Sequence, residues 1–133
     1  MRQYYFYFFG AKWDSVLALL APEIIHTFNN EDVGTGIAKF REFVNIKHIH
    51  YREQQQELSV TVDLTSSEAC AKFILEGHYI STYPGLPEAR QQYYRIDVET
   101  FFEFNRDKIS RIATCFDFAE WINQINQNSG VAG

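Results

Sequence analysis

The apolar residues of the first twenty positions recur at spacings of three and four, with Tyr5, Phe8 and Phe9 in one half and Trp13, Val16, Leu17 and Leu20 in the other. That is the period of helices with one buried stripe. Gly10 interrupts the run, so the pattern predicts two short helices joined at an angle, the second capped by Asp14 or Ser15. It closes at Ala21-Pro22, because proline disfavours helical geometry in the residue before it. Ile24 to Asn29 then reads as a short strand, followed by the polar turn cluster Asn29-Asn30-Glu31-Asp32 and the turn Gly34-Thr35-Gly36. From Gly36, the positions Ile37, Phe40, Phe43 and Val44 place one apolar stripe on a third helix that fades around Lys47-His48.

After His50 the period changes to two, the mark of half-buried strands. Tyr51 to Leu64 alternates Leu58, Val60 and Val62 against Ser59, Thr61 and Asp63. Beyond the turn Thr65-Ser66-Ser67, Ala69 to Thr82 puts Ala69, Ala71, Phe73, Leu75 and Tyr79 on the core side. Pro84-Gly85-Leu86-Pro87 is a loop, since two prolines around a glycine cannot continue a ladder. Gln91 to Asn105 sets Ile96, Val98, Thr100, Phe102 and Phe104 on one face, and a tight turn at Asn105-Arg106-Asp107-Lys108 leads into Ile109 to Phe118. There Ile112, Thr114, Phe116 and Phe118 share a face, and Trp121, Ile122 and Ile125 suggest a short terminal helical turn. The order predicts an α+β domain: three helices from the N-terminal half on one face of a strongly curved, mostly antiparallel sheet, closed into a cone. A single domain over 1–133 is expected, with a polar, frayed tail at about 127–133.

Composition narrows the function more than the fold. A chain of 133 residues with 46% hydrophobic content can bury one core. Aromatics at 17% suit a core or a cavity walled by rings. The net charge of −5, with Lys and Arg scattered, argues against nucleic acid as a partner. Cys70 and Cys115 lie far apart and read as reduced thiols, and no His, Cys and carboxylate spacing predicts a metal site. Gly34-Thr35-Gly36 lacks the rest of a phosphate-loop fingerprint, so no cofactor is expected. The run Tyr4 to Phe9 is too short to span a bilayer and lacks a signal-peptide cleavage site, so the expectation is no membrane association and a cytoplasmic location.

The order of elements, with Tyr4-Tyr5 ahead of Lys12-Trp13-Asp14, then Tyr51-Arg52-Glu53-Gln54, Gly85-Leu86-Pro87, Phe101-Phe102-Glu103 and Trp121-Ile122, resembles the ketosteroid isomerase-related, SnoaL-like branch of the nuclear transport factor 2-like superfamily. The resemblance implies a cone fold that holds a small apolar molecule and pairs as a homodimer through its outer sheet face. In steroid isomerases a tyrosine and a protonated aspartic acid bind the developing enolate oxygen while a second aspartate moves the proton. By that resemblance the tyrosine falls on Tyr4, the base on Thr27 when the helix glycine is matched to Gly36, and the oxyanion-hole acid on Thr100. Both carboxyls are missing. The closer relatives usually carry His-Asp where this chain has His26-Thr27, and a threonine hydroxyl cannot carry a proton reversibly near neutral pH.

Two functions follow. A binding module would line its pocket with Phe8, Ile25, Val60, Phe73, Phe102, Thr114 and Phe116, with Tyr4, Thr27, Asn29 and Thr100 as neutral polar anchors. Thr27 and Asn29 share a strand face by period two, and either could instead serve the adjacent turn. The other reading is a small isomerase, dehydratase or cyclase with a different acid or base: His26, Glu76 or Asp117, brought inward by a bulge. Without a bulge His26 alternates away from Thr27. Glu76 shares an outer face with Lys72 and His78, where interstrand ion pairs are expected. A third possibility is a dimerising interaction domain.

Overall fold

The structure, a computed structural model, describes residues 4, 5, 12–63 and 65–127. Helix α1 (Trp13–Ala18) leads into β1 (Leu20–Phe28) and β2 (Glu31–Thr35), then α2 (Ile37–His50) and β3 (Tyr51–Asp63). Strands β4 (Glu68–Tyr79), β5 (Gln92–Asn105) and β6 (Lys108–Phe116) follow, and α3 (Phe118–Gln127) closes the chain. The six strands form one sheet in the order β2-β1-β6-β5-β4-β3. Only the β1–β6 pair is parallel. Helix α2 packs on β1, β2 and β3, and α3 on β5, which gives the expected α+β cone.

The long strands follow their period. In β4, Ala69, Ala71, Phe73, Leu75 and Tyr79 are buried, and in β5 Tyr94, Ile96, Val98, Thr100 and Phe102 are. Register makes these two faces one: Ala71 pairs with Thr100, Phe73 with Val98 and Leu75 with Ile96. Of the expected first helix only Tyr4 and Tyr5 are described, both helical and buried. Phe8, Gly10 and the tail beyond Gln127 lie outside the described residues.

Three elements differ from expectation. Leu20 belongs to β1 and not to the preceding helix, because it pairs with Ile109 of β6. The pairing is irregular between Leu20 and Ile25, and Pro22 and Glu23 are exposed there, so the missing proline N–H costs no ladder bond. The polar segment at 31–35 is a strand, since Asn29 and Asn30 both take positive φ, 49° and 69°, and close a two-residue hairpin in which Phe28 pairs with Glu31. The terminal helical turn is a helix of ten residues. Asp117 starts it, its Oδ1 accepting the Glu120 N–H at 3.0 Å. Among the described residues no helix is long and apolar enough to cross a membrane.

Candidate functional site

Inside the cone is a cavity of about 410 Å³, bounded by the inner face of the sheet, by α2 and α3, and by the loop Tyr83–Leu86 at its mouth. Most of its wall is ring and aliphatic surface from Phe28, Phe43, Phe73, Ile96, Val98, Ile112, Phe116, Phe118 and Trp121. Four groups of polar side chains interrupt it, beside the hydroxyl-bearing Tyr51 and Tyr83.

The first is His26. Parallel pairing of His26 with Ile112 and of Phe28 with Thr114 puts β1's even-numbered residues on the face that β6 turns to the cavity. The His26 ring is only 4% exposed and sits 4.5 Å from Phe43 and 5.4 Å from Phe28 and Phe40 by ring centroids. Its Nδ1 is buried with no hydrogen-bond partner. Burial, and then the Lys47 ammonium, push the imidazole pKa down to about 4, against an opposing pull from Asp32. At neutral pH the ring is therefore uncharged and offers a lone pair.

The second group is a brace across three strands. Glu53 of β3 pairs with Gly77 of β4, which pairs with Tyr94 of β5. The Tyr94 hydroxyl reaches over Gly77 and donates to Glu53 Oε2 at 2.5 Å. A Cβ at Gly77 would stand 2.7 Å from that hydroxyl and 2.8 Å from the Arg52 carbonyl, so any other residue here would block the reach. Lys47 Nζ closes the brace at 2.8 Å from Glu53 Oε1 and 3.0 Å from Oε2, and lies 5.0 Å from the Tyr51 ring centroid. Burial, followed by the Glu53 charge, raises the Tyr94 pKa well above its usual value, so Tyr94 stays a donor.

The third group is Tyr4 and Tyr5 with Thr100. The Tyr5 ring stacks edge-on with Phe73 at 5.2 Å. Burial raises the pKa of both tyrosines, which keeps them protonated. The fourth is Thr114, cross-strand neighbour of Thr100. The mouth loop is tied down by Tyr79, whose hydroxyl accepts the Tyr83 N–H at 2.8 Å and donates to the Pro87 carbonyl at 2.7 Å.

Of the expected lining residues, Tyr4, Phe73, Thr100, Thr114 and Phe116 stand on the wall. Ile25, Thr27, Asn29, Val60 and Phe102 do not, and Phe8 lies outside the described residues. Ile25 and Thr27 pair with Arg111 and Ala113 on the other face, so the expectation that Thr27 faces in and His26 faces out is inverted. No bulge in β1 is needed: Ile24, His26 and Phe28 are the inward set, and the pairing shift at His26/Thr27 inserts Val33 into β2 instead. Asn29 works in the hairpin, its Oδ1 accepting the Phe116 N–H at 2.8 Å. Val60 packs, half-buried, on the edge of the core, and Phe102 lies in the core beneath Tyr4, 5.6 Å between ring centroids. Glu76 sits on the outer face with Arg95 at 3.2 Å and accepts hydrogen bonds from Gln56 and Tyr93. Asp117 caps α3. Lys47, Glu53, Tyr94 and Tyr5 were not expected at the site. For Glu53 the signal is the period of β3, which carries Tyr51 and Glu53 to the cavity together.

Among the described residues no cluster of His, Cys, Asp and Glu could hold a metal ion. No family model matches the chain, and no curated protein matches it in sequence. Solved structures do. A candidate polyketide cyclase of Xanthomonas campestris is 31% identical with a TM-score of 0.88, over 93% of this chain and 92% of the other. The chain belongs to the SnoaL-like branch of the nuclear transport factor 2-like superfamily. A second candidate polyketide cyclase, from Pseudomonas putida, is similar to this SnoaL-like domain at 30% identity and a TM-score of 0.89, over 93% of each chain. A SnoaL-like candidate polyketide cyclase from Jannaschia shares the fold at 18% identity and a TM-score of 0.76, over 86% of this chain and 78% of its own.

Proposed function

We propose that this SnoaL-like domain binds a small, ring-bearing, largely apolar molecule that carries a carbonyl or hydroxyl oxygen. The carrying observation is the cavity of about 410 Å³, apolar over most of its wall and interrupted by polar groups at His26, at Tyr4, Tyr5 and Thr100, at Thr114, at the Lys47–Glu53 pair and at the hydroxyl-bearing Tyr51 and Tyr83. That proportion is typical of pockets in which burial supplies affinity and a few fixed polar groups supply orientation. The description of two similar proteins as candidate polyketide cyclases supports a carbonyl-bearing ligand. At the two positions where the resemblance would seat the isomerase carboxyls, Thr27 stands off the wall and Thr100 holds a neutral hydroxyl on it, so the isomerase's paired acids form no part of this reading. A catalytic version requires an acid or base on the wall, and of His26, Glu76 and Asp117 only His26 stands there.

Native mass spectrometry and calorimetric titration with 2-tetralone, naphthols and steroid-like ketones test the reading. The expected result is one molecule bound per chain, lost when Thr114→Phe fills the wall. Binding that survives this substitution, or no binding by any of these compounds, overturns it.

A further inference from the structure

We propose that the Lys47–Glu53 pair is the subsite that receives the oxygen of the bound molecule, and that it selects an uncharged hydroxyl, phenolic or alcoholic, over a carboxylate. The proposal rests on the ligand-binding reading and deepens it by naming the group recognised and the residues that recognise it.

The pair is in place before any ligand arrives. Lys47 lies in the last turn of α2, where the helix's free carbonyls favour a cation, and its Nζ stands 2.8 Å from Glu53 Oε1 and 3.0 Å from Oε2. The ammonium also lies 5.0 Å from the centroid of the Tyr51 ring. Glu53 is fixed in turn by the Tyr94 hydroxyl, which donates to Oε2 at 2.5 Å across Gly77. Both side chains border the cavity and are largely withdrawn from solvent, 23% exposed for Lys47 and 10% for Glu53. Groups held in this way lose little freedom when a ligand joins them.

Their hydrogen-bonding capacity is not used up. An ammonium carries three donors, and among the described residues its hydrogen-bonding partner is Glu53, whose two oxygens leave at least one N–H over. Oε2 of Glu53 accepts from both Lys47 and Tyr94, whereas Oε1 accepts from Lys47 and keeps a lone pair. A hydroxyl satisfies both groups, accepting from the ammonium and donating to the carboxylate. The pair is already neutral as a whole, so a ligand carboxylate would leave a net negative charge in an apolar cavity beside Glu53. Hydrogen bonds to ionised groups are about twice as strong as those between neutral ones, so the pair draws the oxygen in preference to Thr100 and Thr114.

Strand register places the rest of the molecule. Glu53 pairs with Gly77, and the rows that follow along β4 and β5 are Leu75 with Ile96 and Phe73 with Val98, all four on the cavity wall. At about 3.3 Å per residue, Gly77 to Phe73 is roughly 13 Å of strand, an apolar floor for a fused-ring body. In the other direction the next row is Tyr51 with Tyr79, and the Tyr79 hydroxyl holds the mouth loop. The oxygen therefore sits near the mouth, with the rings inward.

The test is equilibrium dialysis of the full chain at neutral pH against 2-naphthol, naphthalene and 2-naphthoate, which share a ring system and differ in the group offered. 2-Naphthol is expected to bind about tenfold tighter than either of the others. Lys47→Met is expected to bring 2-naphthol within about threefold of naphthalene. Should that variant fail to fold, Lys47→Met combined with Glu53→Gln, which leaves no charge unpaired, takes its place. In the parent chain, NMR saturation of the Lys47 ε protons is expected to reach the naphthol protons beside the hydroxyl more strongly than those of the far ring. Absence of binding by all three compounds overturns the ligand reading and the proposal with it. The proposal alone is overturned if 2-naphthoate or naphthalene binds as tightly as 2-naphthol, if the naphthol preference survives loss of the ammonium, or if saturation reaches chiefly the far ring.

Discussion

The cavity has two polar walls built on opposite principles. On the β3–β4–β5 side, Glu53 accepts from Tyr94 at 2.5 Å and from Lys47 at 2.8 Å and 3.0 Å, and a glycine is placed so that these groups can meet. On the β1–α2 side, His26 is packed against the rings of Phe28, Phe40 and Phe43 and has an unpartnered Nδ1. A buried charge is tolerated when its hydrogen bonds are complete, whereas a buried neutral ring nitrogen left without one costs stability. The difference teaches that one polar wall is held by its own hydrogen bonds and the other by the packing of rings.

The hardest way to break the braced wall is Gly77→Ala. Its Cβ would meet the Tyr94 hydroxyl at 2.7 Å and the Arg52 carbonyl at 2.8 Å, and neither can withdraw without opening the brace. A loss of about 3 kcal/mol is expected in urea denaturation, the upper range for overpacking. Loss of less than about 1 kcal/mol, the floor of that range, would mean Tyr94 has another place to go.

Acid tests the other wall. His26 titrates at 6.5 when unfolded and at about 4 when folded, so between these values the unfolded chain binds more protons. Its contribution is fully present above 6.5 and is lost as pH falls towards 4, amounting to about 3 kcal/mol. The expected observation is an acid slope in stability that is shallower in His26→Phe than in the parent. Equal slopes would show that the ring is not held in its neutral form.

Tyr94→Phe removes one charge-assisted hydrogen bond but leaves Lys47 on Glu53, so about 2 kcal/mol is expected, again by denaturation. Smallest is the effect of His26→Phe at neutral pH. It places a ring among rings and removes an unpaired polar atom, and is expected to stabilise the chain by about 1 kcal/mol. A stabilising substitution on one wall beside destabilising ones on the other would sharpen the contrast between them. Destabilisation by His26→Phe would erase it.

The long strands were legible because alternation over twelve or more residues leaves little freedom. Burial at Phe73, Leu75, Ile96 and Val98 follows their period directly. The cavity wall was legible in part: Phe73, Thr100, Thr114 and Phe116 border it by the same alternation, and Tyr4, expected there from the resemblance, borders it as well. Short β1 was the weak point. Ile24 and Ile25 are adjacent and equally apolar, so period two allows either phase, and matching Thr27 to a family position chose the one that the register excludes. Glu31 to Thr35 looked like a turn because its residues are turn formers. They pair because the Asn29-Asn30 hairpin returns them to β1.

The amino-acid sequence by itself determined the succession of helices and strands and the two faces of each long strand, because these depend on local periods of 3.6 and two. Which face of β1 looks inward, and the meeting of Lys47, Glu53, Gly77 and Tyr94, were decided only in the tertiary structure. A strand's phase is set by its partner, here the parallel pairing of His26 with Ile112 across more than eighty residues of intervening chain. The brace likewise needs three strands in register before a hydroxyl can cross a glycine. No local pattern contains either distance.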